Sequence, residues 1–248
     1  MKSAPSPLWL HAVGWDQIPG LVHGFSGRLH DRETLPGLDR EGLTLRTVKQ
    51  VHGDNVVVIS HSDHKNDRPE ADGMITAEPG VLLGIATADC VPVLLVAPEH
   101  GIVSAVHAGW RGTLKGICVR AIETLTTEWG VDPQRLWVAF GPAIDRCCYE
   151  VGREVGEALC QQWQIRHPAA WQPRGEKGLL DLRLINLIQC AHAGVPRDHL
   201  QPVGPCTFCE EGSFASYRRE GAHAGRQLSV VGWRRRREPS GDCLIDCY

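Results

Sequence analysis

Val81-Leu82-Leu83-Gly84-Ile85-Ala86, then Val91-Pro92-Val93-Leu94-Leu95-Val96-Ala97, then Ile102-Val103-Ser104-Ala105-Val106 are three nearly continuous apolar runs in close succession. Runs that are apolar at both odd and even positions suit strands covered on both faces. Pro98-Glu99-His100-Gly101 supplies the turn between the second and the third. Beyond them the period changes. Ala108-Gly109-Trp110-Arg111-Gly112 is a glycine-bracketed turn, and Thr113 is placed to cap a helix running to Trp129, with Leu114, Ile117, Cys118, Ala121 and Leu125 at helical spacing. Leu136 to Phe140 reads as a strand and Val151 to Trp163 as a helix. Asp181 to Ala193 reads as a helix capped by Asp181 and stopped by Gly194, and Leu228 to Trp233 as a last strand. Upstream, Val48 to Val51 and Val56 to Ser60 flank Gly53-Asp54-Asn55, a hairpin signal. Residues 164–180 and 207–226 read as loops. Helices and strands interleave, which predicts a layered α/β or α+β fold.

The 248 residues carry 42% hydrophobic and 22% charged side chains, the profile of a globular protein. A formal net charge of -3 gives no general attraction to nucleic acid or anionic membrane. Arg234 to Arg237 form the one basic cluster, read as the solvated end of the last strand rather than a phosphate patch. No apolar stretch approaches the roughly 20 residues of a membrane span. Met1 to Leu10 is broken by Pro5 and Pro7 and lacks a signal-peptide core, so a cytoplasmic location is expected. The ten cysteines are not spaced as a secreted disulfide framework and are expected to be reduced. No repeat, linker or clean boundary divides the chain, so residues 1–248 are read as one catalytic domain.

Chemistry concentrates where the apolar runs end. Cys90 follows Ala88-Asp89, His107 closes the third run, and His52 closes Lys49-Gln50-Val51-His52 before a glycine. Side chains leaving neighbouring strand ends can converge in one cleft on a rigid support. One thiolate and two imidazoles suit zinc, and three protein ligands leave a fourth position open, the catalytic pattern. Zinc there would hold Cys90 deprotonated and bring the pKa of a water to about 7. Two other readings stand beside it: a metal-free Cys90–His107 nucleophile and base pair, and a buried thiol with two hydrogen-bonded histidines. Gly109 and Gly112 could turn backbone N–H groups outward at the start of the Thr113 helix, an anion site to which Arg111 would add a guanidinium. Asp89 is placed to shuttle a proton. Cys206-Thr207-Phe208-Cys209 is a lone CxxC, read as packing rather than a zinc knuckle. Cys147-Cys148-Tyr149-Glu150 could line the cleft. Ser216-Tyr217-Arg218-Arg219 could present a phenol and two guanidiniums to a phosphate or a base.

Lys49-Gln50-Val51-His52-Gly53, Ala71-Asp72-Gly73, Thr87-Ala88-Asp89-Cys90-Val91-Pro92, Val106-His107-Ala108-Gly109-Trp110-Arg111-Gly112, Gly141-Pro142, Cys147-Cys148-Tyr149-Glu150-Val151, Phe214, Ser216-Tyr217-Arg218-Arg219 and Gly225-Arg226 occur in this order. Together they resemble the YfiH-type laccase-domain family, also known as the purine nucleoside phosphorylase and "multicopper polyphenol oxidase" family, from about Val22 to about Trp233. The resemblance implies a layered α/β/β/α sandwich with mixed β-sheets. It implies metal ligands at His52, Cys90 and His107, the three that the strand ends already single out. The favoured chemistry gives catalytic roles to those residues and Asp89, and takes Lys49, Gln50, Arg111 and Arg28 as candidates for substrate or phosphate contacts. The implied activities are phosphorolysis of adenosine, inosine and methylthioadenosine, and deamination of adenosine, with small-molecule partners only. Bacterial members have also been linked to peptidoglycan editing. The chain departs from the family at Phe25-Ser26-Gly27-Arg28-Leu29-His30-Asp31, where a glycine pair is missing, and at Ala215, where an aromatic is lost. Cys243 and Cys247 have no counterpart in the pattern.

The reading favoured by these residues is a zinc-dependent purine nucleoside phosphorylase with adenosine deaminase activity. A Cys-His hydrolase acting on a cell-wall precursor is one alternative. A copper-dependent polyphenol oxidase is another, since copper outcompetes zinc at thiolate and imidazole donors, although the chain has no His-x-His pair. A non-catalytic nucleoside-binding module is a third.

Overall fold

The three apolar runs become strands because two cores need them at once. The structure, a computed structural model, describes residues 8–28, 42–63 and 67–235. The expectations placed on Met1 to Pro7, Leu29-His30-Asp31, Arg236, Arg237, Cys243 and Cys247 lie outside these residues. The second and third runs are β7 (Val91–Ala97) and β8 (Ile102–Ala108), antiparallel neighbours at the centre of a six-stranded sheet. Val91, Val93 and Leu95 of β7 enter one core, while Leu94 and Val96 enter another. Alternate residues thus leave opposite faces of the strand, and neither face meets water.

The six-stranded sheet runs β13 (Leu200–Pro202), β9 (Trp137–Phe140), β7, β8, β5 (Gly73–Thr76), β4 (Val56–Val58). Helices α2 (Ile117–Trp129) and α4 (Leu182–His192) close one face, with Ile117, Cys118, Ala121, Ile185 and Cys190 in the shared core. The other face packs on a five-stranded sheet, β1 (Trp9–Leu10), β2 (Leu21–Ser26), β14 (Gln227–Trp233), β6 (Val81–Thr87), β3 (Thr44–Arg46). Phe25, Leu83, Ile85 and Val231 meet Met74, Leu94 and Ala105 between the two sheets. On the outer face of the five-stranded sheet lies a smaller cluster of Leu43, Leu82, Leu228 and Val230. A third sheet, β10 (Glu150–Gly152), β12 (Lys177–Leu180), β11 (Trp171–Arg174), accompanies α3 (Arg153–Gln162). Parallel and antiparallel pairings coexist in both large sheets, so the layered mixed α/β class is the one expected.

Four local expectations are corrected. Val48 to Val51 is not a hairpin strand: β4 pairs in parallel with β5, and the preceding backbone curls around the Asp72 carboxylate instead. The helix expected from Thr113 is two helices. Gly109 caps α1 (Trp110–Lys115), and Gly116, at φ 83, breaks the chain before α2. A side chain at Gly116 would meet both that left-handed backbone and the Trp163 ring, 2.5 Å from its Cβ. Val151 starts in β10, and α3 begins at Arg153. Residues 164–180 hold the β11–β12 hairpin, paired Arg174 to Lys177 around Gly175, whose φ is 63.

One buried group sets a pH limit on this fold. His23 on β2 is 5% exposed, and its Nε2 accepts the Ala12 N–H at 3.1 Å. Burial, then the neighbouring His11, lowers His23 to about 4. The unfolded chain therefore binds a proton between about pH 6.5 and 4 that the native chain refuses. Stability from this residue is complete above pH 6.5 and lost as pH falls toward 4, on the order of 2–3 kcal/mol. Denaturation midpoints of wild type and His23→Gln at pH 7 and pH 4.5 should converge toward the acidic end. A constant difference would contradict the burial argument.

Candidate metal centre and active site

Register at one end of the six-stranded sheet assembles the site. Val91 pairs with Ala108 and Pro92 with His107, so Cys90 stands beside His107. Gly73 pairs with Val106 on the other side of β8, which sets Asp72 against His107. His52 precedes β4 at the same end. The donor atoms of His52, Cys90 and His107 all lie within 4.8 Å of one another, and the two imidazole rings meet edge-on at 4.8 Å. His107 is 3% exposed, Cys90 half-buried and His52 exposed, so the group is closed at one side and open at the other.

Asp72 organises this cluster, and the strand-end argument did not select it. It is fully buried. Its Oδ1 accepts from His107 Nδ1 at 2.7 Å and from the His52 backbone N–H at 3.0 Å. Its Oδ2 accepts from Val51 N–H at 3.2 Å and Gly53 N–H at 2.6 Å. One carboxylate thus fixes the His107 tautomer, leaving Nε2 for a metal, and holds the loop that presents His52 at φ 58. Burial would raise the Asp72 carboxyl, but His107 and the backbone N–H groups outweigh it and lower it. Burial likewise opposes charge on Cys90 and His107. The His107 and His52 hydrogen bonds nonetheless bring Cys90 down to about 6, while Asp72 and Cys90 push His107 up to about 9.

The donor set fits a borderline-soft divalent cation. The backbone leaves room for one as well. A Cβ on Gly109 would stand 2.9 Å from His52 Nδ1 and 3.2 Å from Cys90 Sγ. Gly109→Ala is therefore expected to weaken zinc binding by about 10-fold or more with a small change in unfolding midpoint, in line with losses seen when the support of metal ligands is disturbed. Competition with a chromogenic chelator measures this; wild-type affinity would show that the three donors can shift to accept a methyl group.

The remaining predicted residues divide. Arg111 is exposed beside the site, its guanidinium 4.4 Å above the Trp110 ring, and has no carboxylate partner among the described residues. Lys49 is exposed and paired with Glu70 at 2.8 Å. The Gln50 amide is engaged on both sides by the Ala86 backbone, at 2.8 and 3.0 Å, and joins the loop to β6. Arg28 is paired with Glu220 and bonded to the Phe214 carbonyl. Asp89, read as a proton shuttle, is tied to the loops beside it. Its carboxylate accepts from Thr207 Oγ1 at 2.7 Å, Ser216 Oγ at 3.0 Å and Arg218 N–H at 2.7 Å, which fixes its orientation. Its backbone, at φ 85, turns the chain from β6 to present Cys90. The anion site at a Thr113 helix start is corrected. Thr113 is buried inside α1, its N–H donates to the Gly109 carbonyl, and its hydroxyl faces Asn186. Gly112 serves close approach instead, since its Cβ would stand 2.7 Å from the Gly53 carbonyl.

Of Ser216-Tyr217-Arg218-Arg219, only Arg218 borders the site, 5.3 Å from the Tyr149 ring. Arg219 is half-buried against the Thr207, Phe208 and Phe214 carbonyls, and Tyr217 is exposed. Burial, then the Cys90 charge, pushes the Tyr149 phenol up to about 12. The CxxC expectation is corrected too: Cys206 and Cys209 meet Cys147 and Cys148, so the motif is not alone.

A mixed α/β sandwich with a thiolate and two imidazoles gathered at a sheet end is the class that fold and site define. The sequence pattern of the multi-copper polyphenol oxidoreductase laccase family matches residues 32–234, and the chain belongs to that family. It is 39% identical over 194 residues to the purine nucleoside phosphorylase YlmD of Geobacillus stearothermophilus, covering 75% of this chain and 71% of that one. It is 35% identical over 203 residues to adenosine deaminase RL5 of an unknown prokaryotic organism, covering 79% and 76%. The crystal structure of YlmD from Geobacillus stearothermophilus superposes with a TM-score of 0.82 at 30% identity, over 94% of this chain and 98% of that one. These relatives are enzymes. No helix among the described residues is long and apolar enough to cross a membrane.

Proposed function

We propose that the chain is a zinc-dependent purine nucleoside phosphorylase that also deaminates adenosine, with His52, Cys90 and His107 as its metal ligands. The observation that carries this reading is three donor atoms within 4.8 Å of one another, open on the His52 side. The names of the relatives supply the substrate class. Bound there, zinc would supply Lewis-acid polarisation and lower the pKa of a water; copper could take the same donors.

The protein's own groups do the rest. Asp72 keeps His107 in one tautomer. Arg111, with no carboxylate partner among the described residues, holds phosphate for attack on the ribose C1′ as the glycosidic bond to the purine breaks. Tyr149, protonated at neutral pH, is a donor to the departing base, and Arg218 stacks behind its ring. In deamination, water adds at C6 of adenine and ammonia leaves.

Metal-quantified protein incubated with adenosine should give adenine and ribose 1-phosphate only when phosphate is present, and inosine with or without it. Both should stop on chelation and return with zinc. Turnover that survives metal removal but is lost on thiol alkylation would move the site to nucleophilic thiol chemistry at Cys90. Oxygen uptake with a phenol, on copper-loaded protein inactive toward adenosine, would favour the oxidase.

A further inference from the structure

Two loops on the far side of Asp89 bring together four thiols that the proposed reaction does not use. Cys147 and Cys148 lie between β9 and β10, and Cys206 and Cys209 between β13 and β14. We propose that these four cysteines form a second metal centre, a closed four-thiolate zinc site that clamps the two loops.

Geometry carries the assignment. The four Sγ atoms all lie within 4.8 Å of one another, with Cys148 to Cys209 at 3.4 Å and Cys147 to Cys209 at 3.7 Å. All four are free thiols. A tetrahedral zinc with bonds of about 2.3 Å sets its sulfurs about 3.8 Å apart, whereas a disulfide needs about 2.05 Å. The spacing is that of ligands around an ion. The backbone around Cys206 is built for a charged sulfur. Asp145 N–H points at Cys206 Sγ at 3.3 Å. The N–H groups of Cys209 and Phe208 face the same sulfur. Donation to the first sulfur of a CxxC from the two residues that follow its second position gives a thiolate its hydrogen bonds without side chains. Neighbouring cations moderate the charge: Arg219 bonds the Thr207 and Phe208 carbonyls, and Arg183 pairs with Asp145.

The loops are joined before any ion arrives. Ala143 and Cys206 form a β-bridge, and Thr207 N–H donates to the Ala143 carbonyl at 3.0 Å. Four protein donors leave no open position, so this centre is structural. Its consequence reaches the first site through two neighbours. Thr207, inside the CxxC, holds the Asp89 carboxylate that turns the chain into Cys90. Tyr149 follows Cys148 directly and borders Cys90.

The test is metal stoichiometry on full-length protein loaded with zinc and freed of excess. Wild type should hold about two equivalents of zinc per chain, Cys90→Ala about one, and the double variant Cys206→Ser, Cys209→Ser about one. Should the double variant not fold, Cys90→Ala loaded with cobalt(II) decides. Strong sulfur-to-cobalt charge-transfer bands, with about four thiols shielded from a disulfide reagent until chelator is added, support the centre. A Cys90→Ala chain that binds no metal and shields no thiol overturns it. So does a Cys148–Cys209 disulfide in freshly purified protein, or iron in place of zinc at these thiols. Because Cys90→Ala reports on this centre alone, its outcome is separable from that of the proposed phosphorylase.

Discussion

Cys90→Ala is expected to abolish phosphorolysis and deamination while leaving the protein folded. The thiol is half-buried at a strand end and borders the open side of the site, so its removal creates no closed cavity. The unfolding free energy of metal-free protein should change by about 1 kcal/mol or less. Metal binding is a different matter. Structural zinc sites bind with about 10–16 kcal/mol across four ligands, or about 3 kcal/mol for each. Loss of one donor from three therefore costs roughly a hundredfold to a thousandfold in affinity. Cys90 is also the only anion in the first coordination set, so its loss removes charge neutralisation as well as a bond. Competition with a chelator should show the affinity loss, and turnover at the zinc concentration that saturates wild type should be gone. The pH dependence has a definite sign. Metal needs the Cys90 thiolate, available above about pH 6, and must displace a proton from His107, held up to about 9. Affinity should therefore rise with pH across this range. Wild-type phosphorolysis by Cys90→Ala would refute the ligand assignment.

What the sequence disclosed follows from how local each signal is. The apolar runs at β6, β7 and β8 are legible because each strand's burial on two faces is written continuously in its own residues. Cys90 and His107 are legible because strand ends are. The errors are tertiary. Val48 to Val51 has strand composition, but Lys49 makes only an isolated bridge to Glu70, and the N–H groups of Val51 and His52 answer to Asp72, some twenty residues away in sequence. The β11–β12 hairpin was hidden because Trp171-Gln172-Pro173-Arg174 has neither alternation nor β-branched residues; its one local cue is Gly175 at the turn. Gly116 was submerged in the helical period of its neighbours, though a glycine there breaks the helix. The four-thiol cluster was unreadable from spacing, since Cys148 and Cys209 are 61 residues apart on separate loops. Two cysteine pairs, Cys147-Cys148 and Cys206-x-x-Cys209, are the available signal; taken alone, the first reads as a cleft lining and the second as packing. Asp72 was visible only as one residue of the resemblance, because the role of a ligand's support depends on which atom it faces.

That role gives the second large expectation. Asp72→Asn preserves volume but removes an acceptor from a carboxylate that faces only donors. An asparagine oxygen can take the place of Oδ1 or Oδ2, not both. If it keeps Oδ1, its NH₂ group confronts the N–H groups of Val51 and Gly53, and the loop carrying His52 loosens. If it flips, the NH₂ group faces His107 Nδ1, which must then accept, and the ring proton moves to Nε2. The imidazole would then present a proton where the metal needs a lone pair. Either orientation leaves buried donors unsatisfied, at about 2–4 kcal/mol in stability. For a chain of this size that is roughly 5–12 °C in unfolding midpoint. Zinc affinity should fall by about 10–100-fold, the scale on which ligand-orienting carboxylates act. The two losses separate by experiment. Saturating zinc should restore part of the activity at low temperature without restoring the metal-free midpoint, because the ion can re-impose the tautomer but not the missing acceptor. Asp72→Ala, which removes both oxygens, should lose more on both counts. An Asp72→Asn chain with wild-type zinc affinity would mean that His107 is oriented by something other than the carboxylate 2.7 Å from its Nδ1.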